Sequence, residues 1–189
     1  MRVFVISIML IITNVLQSTY FQHFRIRGTI PNFYIMIIVS FALLRGSREG
    51  AIVGFFAGLI QDLYFGTSIG FYALLGMYTG YFCGKINKDF YRESFLLPLV
   101  MTIFSTFFYE LTVYVFTYLI RGKLQFLYYL NNVILPEVVY TGIISIFVYQ
   151  CIYYLNKKLE LKEKKIEIYL NNISIYMVLP GLKGGVYDE

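Results

Sequence analysis

The sequence predicts an all-α polytopic membrane protein, a bundle of about six transmembrane helices. Three observations carry this. The 189-residue chain is 58% hydrophobic and only 14% charged, against about 25% charged in an ordinary soluble domain. Its apolar residues gather into six long runs, more than a single soluble core of this size would bury. Nine of the fifteen glycines fall between Gly46 and Gly84, several of them four residues apart, the spacing at which membrane helices pack closely.

The first run extends from about Val3 to Phe21 behind Arg2. A signal peptide begins this way, but Gln17, Ser18, Thr19 and Tyr20 stand where small residues would mark cleavage, so the run reads as a retained first helix. The second, about Asn32–Leu44, and the third, Gly50–Phe65, fall short of the roughly 17–25 residues of a spanning helix. They either draw in flanking polar residues as two spans or form a re-entrant pair buried in protein. The fourth is Ser68–Gly84, the fifth Phe95–Ile120 and the sixth about Val133–Leu155. Trp is absent, and the nineteen tyrosines take the interfacial role it often shares.

Two domains follow: a transmembrane helical part, residues 1–156, and a basic tail, residues 157–189. Six spans with a cytoplasmic N-terminus place Arg2, Arg45, Arg48, Lys85, Lys88, Arg92, Lys157, Lys158, Lys162, Lys164, Lys165 and Lys183 inside. Only Arg25, Arg27, Arg121 and Lys123 are left outside, so the positive-inside rule puts both termini in the cytoplasm. Lys157, Lys158, Lys162, Lys164 and Lys165 serve either as an ordinary anchor or as a lipid-facing contact for anionic headgroups, worth about 1 kcal/mol each. Beyond them Ile166, Ile168 and Leu170, then Ile173, Ile175, Met177 and Leu179, alternate with more polar residues. That is a strand period, and it ends at Pro180.

Gly46, Gly50, Gly54 and Gly58 step by four, and Asp62 follows at the same interval. Gly76, Gly80 and Gly84 form a second ridge, with Gly66 and Gly70 in the connection between. Two such ridges joined by a short turn predict close packing of the third and fourth spans, with or without a partner's helix on one ridge. Ionisable groups inside a membrane are costly and mark sites worth testing. Asp62 is expected either to cap the turn Tyr64–Gly70 or to pair with Arg25, Arg27, Arg121 or Lys123. Glu110 lies deep in the fifth span, and Tyr109, Tyr114, Gln150 and Asn14 are its candidate donors. Glu137 follows Pro136 early in the sixth, and Gln17 is a further buried polar candidate. The acids fit structural pairing, a partner contact or a transport pathway.

Little points to catalysis. His23 is the only histidine and has no matching Ser or Cys motif. Gly54–Gly58 lacks the Lys-Ser/Thr of a phosphate loop, and no metal-ligand cluster is present. Cys83 and Cys151 sit in apolar runs and are expected to be buried, inert thiols. No catalytic residue, cofactor or nucleic-acid partner is expected.

The run Gly54-Phe55-Phe56-Ala57-Gly58-Leu59-Ile60-Gln61-Asp62-Leu63, with Gly66, Ile69-Gly70 and Ala73-Leu74 after it, resembles the central signature of the rod shape-determining protein MreD family. Leu16-Gln17-Ser18 at the close of the first helix agrees, as does Pro31-Asn32 at the start of the second, where the family more often has Pro-Asp. The resemblance covers about Val3–Leu155. It implies a multi-pass protein of the bacterial cytoplasmic membrane, similar in plan to the substrate-binding subunits of energy-coupling-factor transporters. It also implies a non-enzymatic role in the cell-elongation machinery, binding MreC and acting with MreB filaments, RodA and a class B penicillin-binding transpeptidase in peptidoglycan synthesis. A small-molecule (vitamin) binding transporter subunit is the competing reading, with Tyr64, Tyr72 and Tyr109 near a pocket.

Overall fold

The computed structural model describes residues 2–20, 25, 28–65, 70–86, 96–119 and 125–178. Among them the architecture is all-helical, with six rods. The first is α1 (Arg2–Val15), closed by a wide π turn at Leu16–Tyr20. Next come α2 (Phe33–Arg45), α3 (Ser47–Phe65) and α4 (Phe71–Ile86). The fifth is α5 (Leu96–Tyr114) with a π turn at Val115–Leu119. The last rod combines the single turn α6 (Phe126–Tyr129), a π turn at Leu130–Ile134 and the long α7 (Leu135–Val178). Two rods, residues 96–119 and 126–162, are long and apolar enough to cross a membrane.

Residues Met1–Tyr153 form one compact unit, and its centre is α2. All twelve residues from Phe33 to Leu44 are buried. A helix that is apolar all round belongs inside other helices, and α2 meets a different set on each side. Tyr34, Ile38 and Phe41 pack with Leu10 of α1, Val53 and Ala57 of α3, and Tyr149 and Ile152 of α7. Ile35, Val39 and Ala42 pack with Cys83 of α4 and with Tyr109 and Val113 of α5. This enclosure explains a central helix of only 13 residues: shielded by protein, it has no lipid thickness to match.

The ends of α2 are set locally. Asn32 Oδ1 accepts the Ile35 N–H at 3.3 Å, a side-chain cap on one of the helix's orphan donors. At the other end Gly46 turns the chain with φ at 94°, a conformation that glycine adopts without strain. Helix α3 starts at once, and Glu49 in its first turn meets Arg45 at 3.2 Å. The third helix is therefore longer than the sequence reading of Gly50–Phe65. It has 19 residues, or roughly 28 Å at the α-helical rise.

Helices α3 and α4 lie antiparallel with their backbones in contact. A Cβ on Gly54 would overlap the Gly76 carbonyl, one on Gly80 the Gly50 carbonyl, and one on Gly58 the backbone of Tyr72 and Ala73. Gly84 meets the backbone at Gly46 and Ser47 in the same way. Each step of four along one helix is matched by a step of four back along the other. Gly50 also faces the side chain of Ala42, so α2 shares this contact. By contrast, a Cβ on Gly142 of α7 would meet only side-chain atoms, of Ile103 and Leu99, the nearest at 3.0 Å.

The second compact unit comprises Tyr154–Glu189. Here Lys158 Nζ stands 4.7 Å from the Tyr154 ring centroid, a cation–π contact. Asn156 Nδ2 donates to Glu160 Oε1 at 3.0 Å. Two expectations are corrected. The alternating segment from Ile166 is helical as far as Val178, not a strand; a lone strand would leave its backbone groups unpaired, whereas a helix closes its own bonds. Cys151 is exposed, while Cys83 is buried, because Cys151 lies on the outward side of α7.

Candidate functional site

The polar contacts between helices concentrate at one end of the bundle, where α1, α3 and α5 finish and α2, α4 and α7 begin. Asp62 supplies the first tie. Its Oδ2 accepts the N–H of Gly70 at 2.9 Å and of Ala73 at 3.0 Å, and its Oδ1 accepts the N–H of Tyr72 at 2.9 Å. The first N–H groups of a helix have no partner within it, and a negative charge there is favoured by the helix dipole. Asp62, only 3% exposed, is thus a cap delivered to α4 from the end of α3. Gly70, with φ at 101°, shapes the backbone that brings those N–H groups to it. Of the two sequence expectations for Asp62, the structure shows the capping geometry. Gly66, Arg27, Arg121 and Lys123 lie outside the described residues, and among those described no lysine or arginine pairs with Asp62.

The neighbouring residue makes the second tie. The Tyr109 hydroxyl of α5 donates to Gln61 Oε1 of α3 at 2.7 Å. Its ring stacks on Tyr72 of α4 with centroids 6.2 Å apart. Three helices therefore meet around Tyr109, which is almost fully buried.

Glu110, next along α5, forms the third tie, and its partners differ from those expected. Tyr109, Tyr114, Gln150 and Asn14 were the candidate donors. Instead Glu110 interacts with Glu137 of α7, and both acids interact with the Asn32 side chain. Asn14 is occupied elsewhere, donating to the Tyr34 hydroxyl at 2.7 Å. The reason is rotational: Glu110 faces the seam where α2 and α7 begin. Asn32 is fully used there, since its Oδ1 caps α2 and its backbone N–H donates to Thr141 Oγ1 at 3.1 Å. A hydrogen bond between two carboxyl groups runs through a proton held by one of them. Glu110→Gln, whose amide also donates, is therefore expected to keep close to wild-type stability. Glu110→Ala strands Glu137 and Asn32 and is expected to cost about 1–3 kcal/mol. Detergent-titrated unfolding of the two variants checks this, and equal loss in both rules out the shared hydrogen bond.

Aromatic rings close this end between α5 and α6. Tyr129 lies 5.0 Å from Tyr114 and 4.9 Å from Tyr118, centroid to centroid. Phe71 of α4 meets Phe116 at 5.7 Å. Gln17, in the π turn after α1, is buried, and its Oε1 has no hydrogen-bond partner among the described residues. The remaining predicted positions lie apart. Gly50, Gly54 and Gly58 lie within the α3–α4 contact, and Lys157, Lys158, Lys162, Lys164 and Lys165 are exposed along α7. Sequence reasoning missed Asn32 and Thr141, the side chains that join the acid pair to α2. The one available signal was Asn32 standing directly before an apolar run, as an N-cap does.

No group of His, Cys, Asp and Glu that would hold a metal occurs among the described residues, and His23 lies outside them. The arrangement defines a class: an apolar helical bundle whose buried polar groups tie its own helices together at one end, a construction suited to a membrane. The family model described as rod shape-determining protein MreD matches residues 1–159. The chain belongs to that family and is a rod shape-determining membrane protein. No curated protein and no solved structure matches it.

Proposed function

We propose that this protein is a non-enzymatic, multi-pass scaffold of the bacterial cell-elongation machinery in the cytoplasmic membrane. It seats MreC and, with it, supports MreB filaments, RodA and a class B penicillin-binding transpeptidase in side-wall peptidoglycan synthesis. The family match carries this reading, because it covers the whole first compact unit. The helical ties support it: a bundle locked by Asp62, Tyr109 and the Glu110–Glu137–Asn32 group offers a rigid surface to a partner's helix. Twelve basic residues against four support cytoplasmic termini at both ends. Residues 157–189 then form a cytoplasmic basic tail whose five exposed lysines face anionic lipid.

The test is affinity purification of the tagged full chain in mild detergent from its own host, with bound proteins identified and cell shape scored on depletion. MreC in the eluate and rounding of rod-shaped cells are the expected results. An eluate without MreC from cells that produce it sinks the reading. A vitamin-binding transporter subunit, with the transporter-like helix plan, is the second reading. The clustering of Tyr72 and Tyr109 near the acids favours it, but those side chains are engaged with one another. A small molecule released in stoichiometric amount from the purified protein would put this reading first.

A further inference from the structure

Helices α4 and α5 diverge along one side, leaving a cleft of about 390 Å³. We infer that this cleft holds one acyl chain of an anionic phospholipid, an inference that rests on the multi-pass reading above.

Width is the first argument. The lining runs from Leu75 to Ile86 on α4 and from Met101 to Thr112 on α5. Each stretch is about 16 Å long at the α-helical rise, so the cleft is about 8 Å across, narrower than the roughly 10–12 Å of a helix with its side chains. A partner's helix does not enter, while a single hydrocarbon chain, whose carbons touch their neighbours at about 3.5–4.0 Å, does.

The second argument is the chemistry of the floor. Cys83 Sγ and Ser105 Oγ bond each other at 3.0 Å. The Thr79 and Thr112 hydroxyls donate to the carbonyls of Leu75 and Phe108 on their own helices, each at 2.8 Å. These groups are already bonded, so an apolar occupant strands none of them, and water finds too few partners to be held. The walls are rings: Tyr78, Phe82, Phe104 and Phe108 are each more than half exposed. Charge is the third argument. Lys85, in the last turn of α4, stands beside Ile86, the last α4 residue of the lining. It places an exposed ammonium at that mouth, where a phosphate would lie.

The test uses the full chain in vesicles of phosphatidylethanolamine and phosphatidylglycerol, with a diazirine on the acyl chain of the phosphatidylglycerol. Labelled residues are mapped by mass spectrometry. The expected result is several-fold heavier labelling of the α4 and α5 lining than of the equally exposed Ile11, Ile12, Ile143 and Phe147. Thr79→Phe, which fills the cleft, abolishes the excess, and Lys85→Gln reduces it. Should Thr79→Phe fail to fold, the wild-type ratio decides alone. Even labelling of all exposed faces overturns the inference while leaving the multi-pass reading intact. No labelling of any helix overturns both.

Discussion

Gly54→Ala is expected to dismantle the α3–α4 pair, although it adds a single methyl group. That methyl would overlap the Gly76 carbonyl oxygen. Overpacking a core commonly costs about 1–3 kcal/mol, because side chains move aside. Here the obstructing atoms are backbone, held in place by the hydrogen bonds of α4, so relief requires the two helices to separate. The loss should reach or exceed the top of that range, and Gly54→Leu should yield no folded monomer. Gly142→Ala is the control, since its methyl meets only side-chain atoms, those of Ile103 and Leu99. The measurement is the midpoint of unfolding in detergent, with size-exclusion elution as a check on folding. A Gly54→Ala protein as stable as Gly142→Ala would show that the two backbones are not in contact.

Asp62→Ala should be the most damaging substitution outside the glycines. It strands the N–H groups of Gly70, Tyr72 and Ala73. A buried donor left unpaired costs about 1–3 kcal/mol, and the lost charge at the start of α4 adds about 0.3–1 kcal/mol. The first turn of α4 should open, with the Tyr72–Tyr109 stack lost beside it. Asp62→Asn keeps one acceptor oxygen and should fall between wild type and alanine. Amide hydrogen exchange at Tyr72 and Ala73 reads the effect directly, as does the unfolding midpoint. If Asp62→Asn were fully stable and its amides fully protected, a charged cap would not be what holds this end.

These two sites were legible in the sequence for a common reason. Glycines at intervals of four, followed by an acid at the same interval, define a face of one helix, and a short connection brings the next helix back along it. Local periodicity fixes such a contact. The Glu110–Glu137–Asn32 group was not legible, because α2, α5 and α7 are far apart in the chain. Their meeting depends on the rotation of each helix about its axis, which packing sets. Gln61 shows the same limit: it stood beside Asp62 in the signature, yet its partner, Tyr109, came from α5. The tail was misread for a different reason. Alternation over a few residues resembles a strand, but Leu159, Ile166 and Ile173 also recur at sevens, which a helix places along one side. Without a strand to pair with, the chain takes the conformation that closes its own hydrogen bonds.

The central position of α2 has a consequence for how the molecule is made. The helix leaves the ribosome well before α7, yet part of its enclosure is supplied by that rod, through Thr141, Tyr149 and Ile152. Until that rod arrives, the side of α2 that packs on α1 and α3 is only partly covered, and Asn32 has no hydroxyl to receive its N–H. Assembly therefore ends in a closing step, and a chain halted before Leu135 carries an unfinished seam that quality-control proteases can recognise. Completeness of the chain is, in effect, proofread by its second helix.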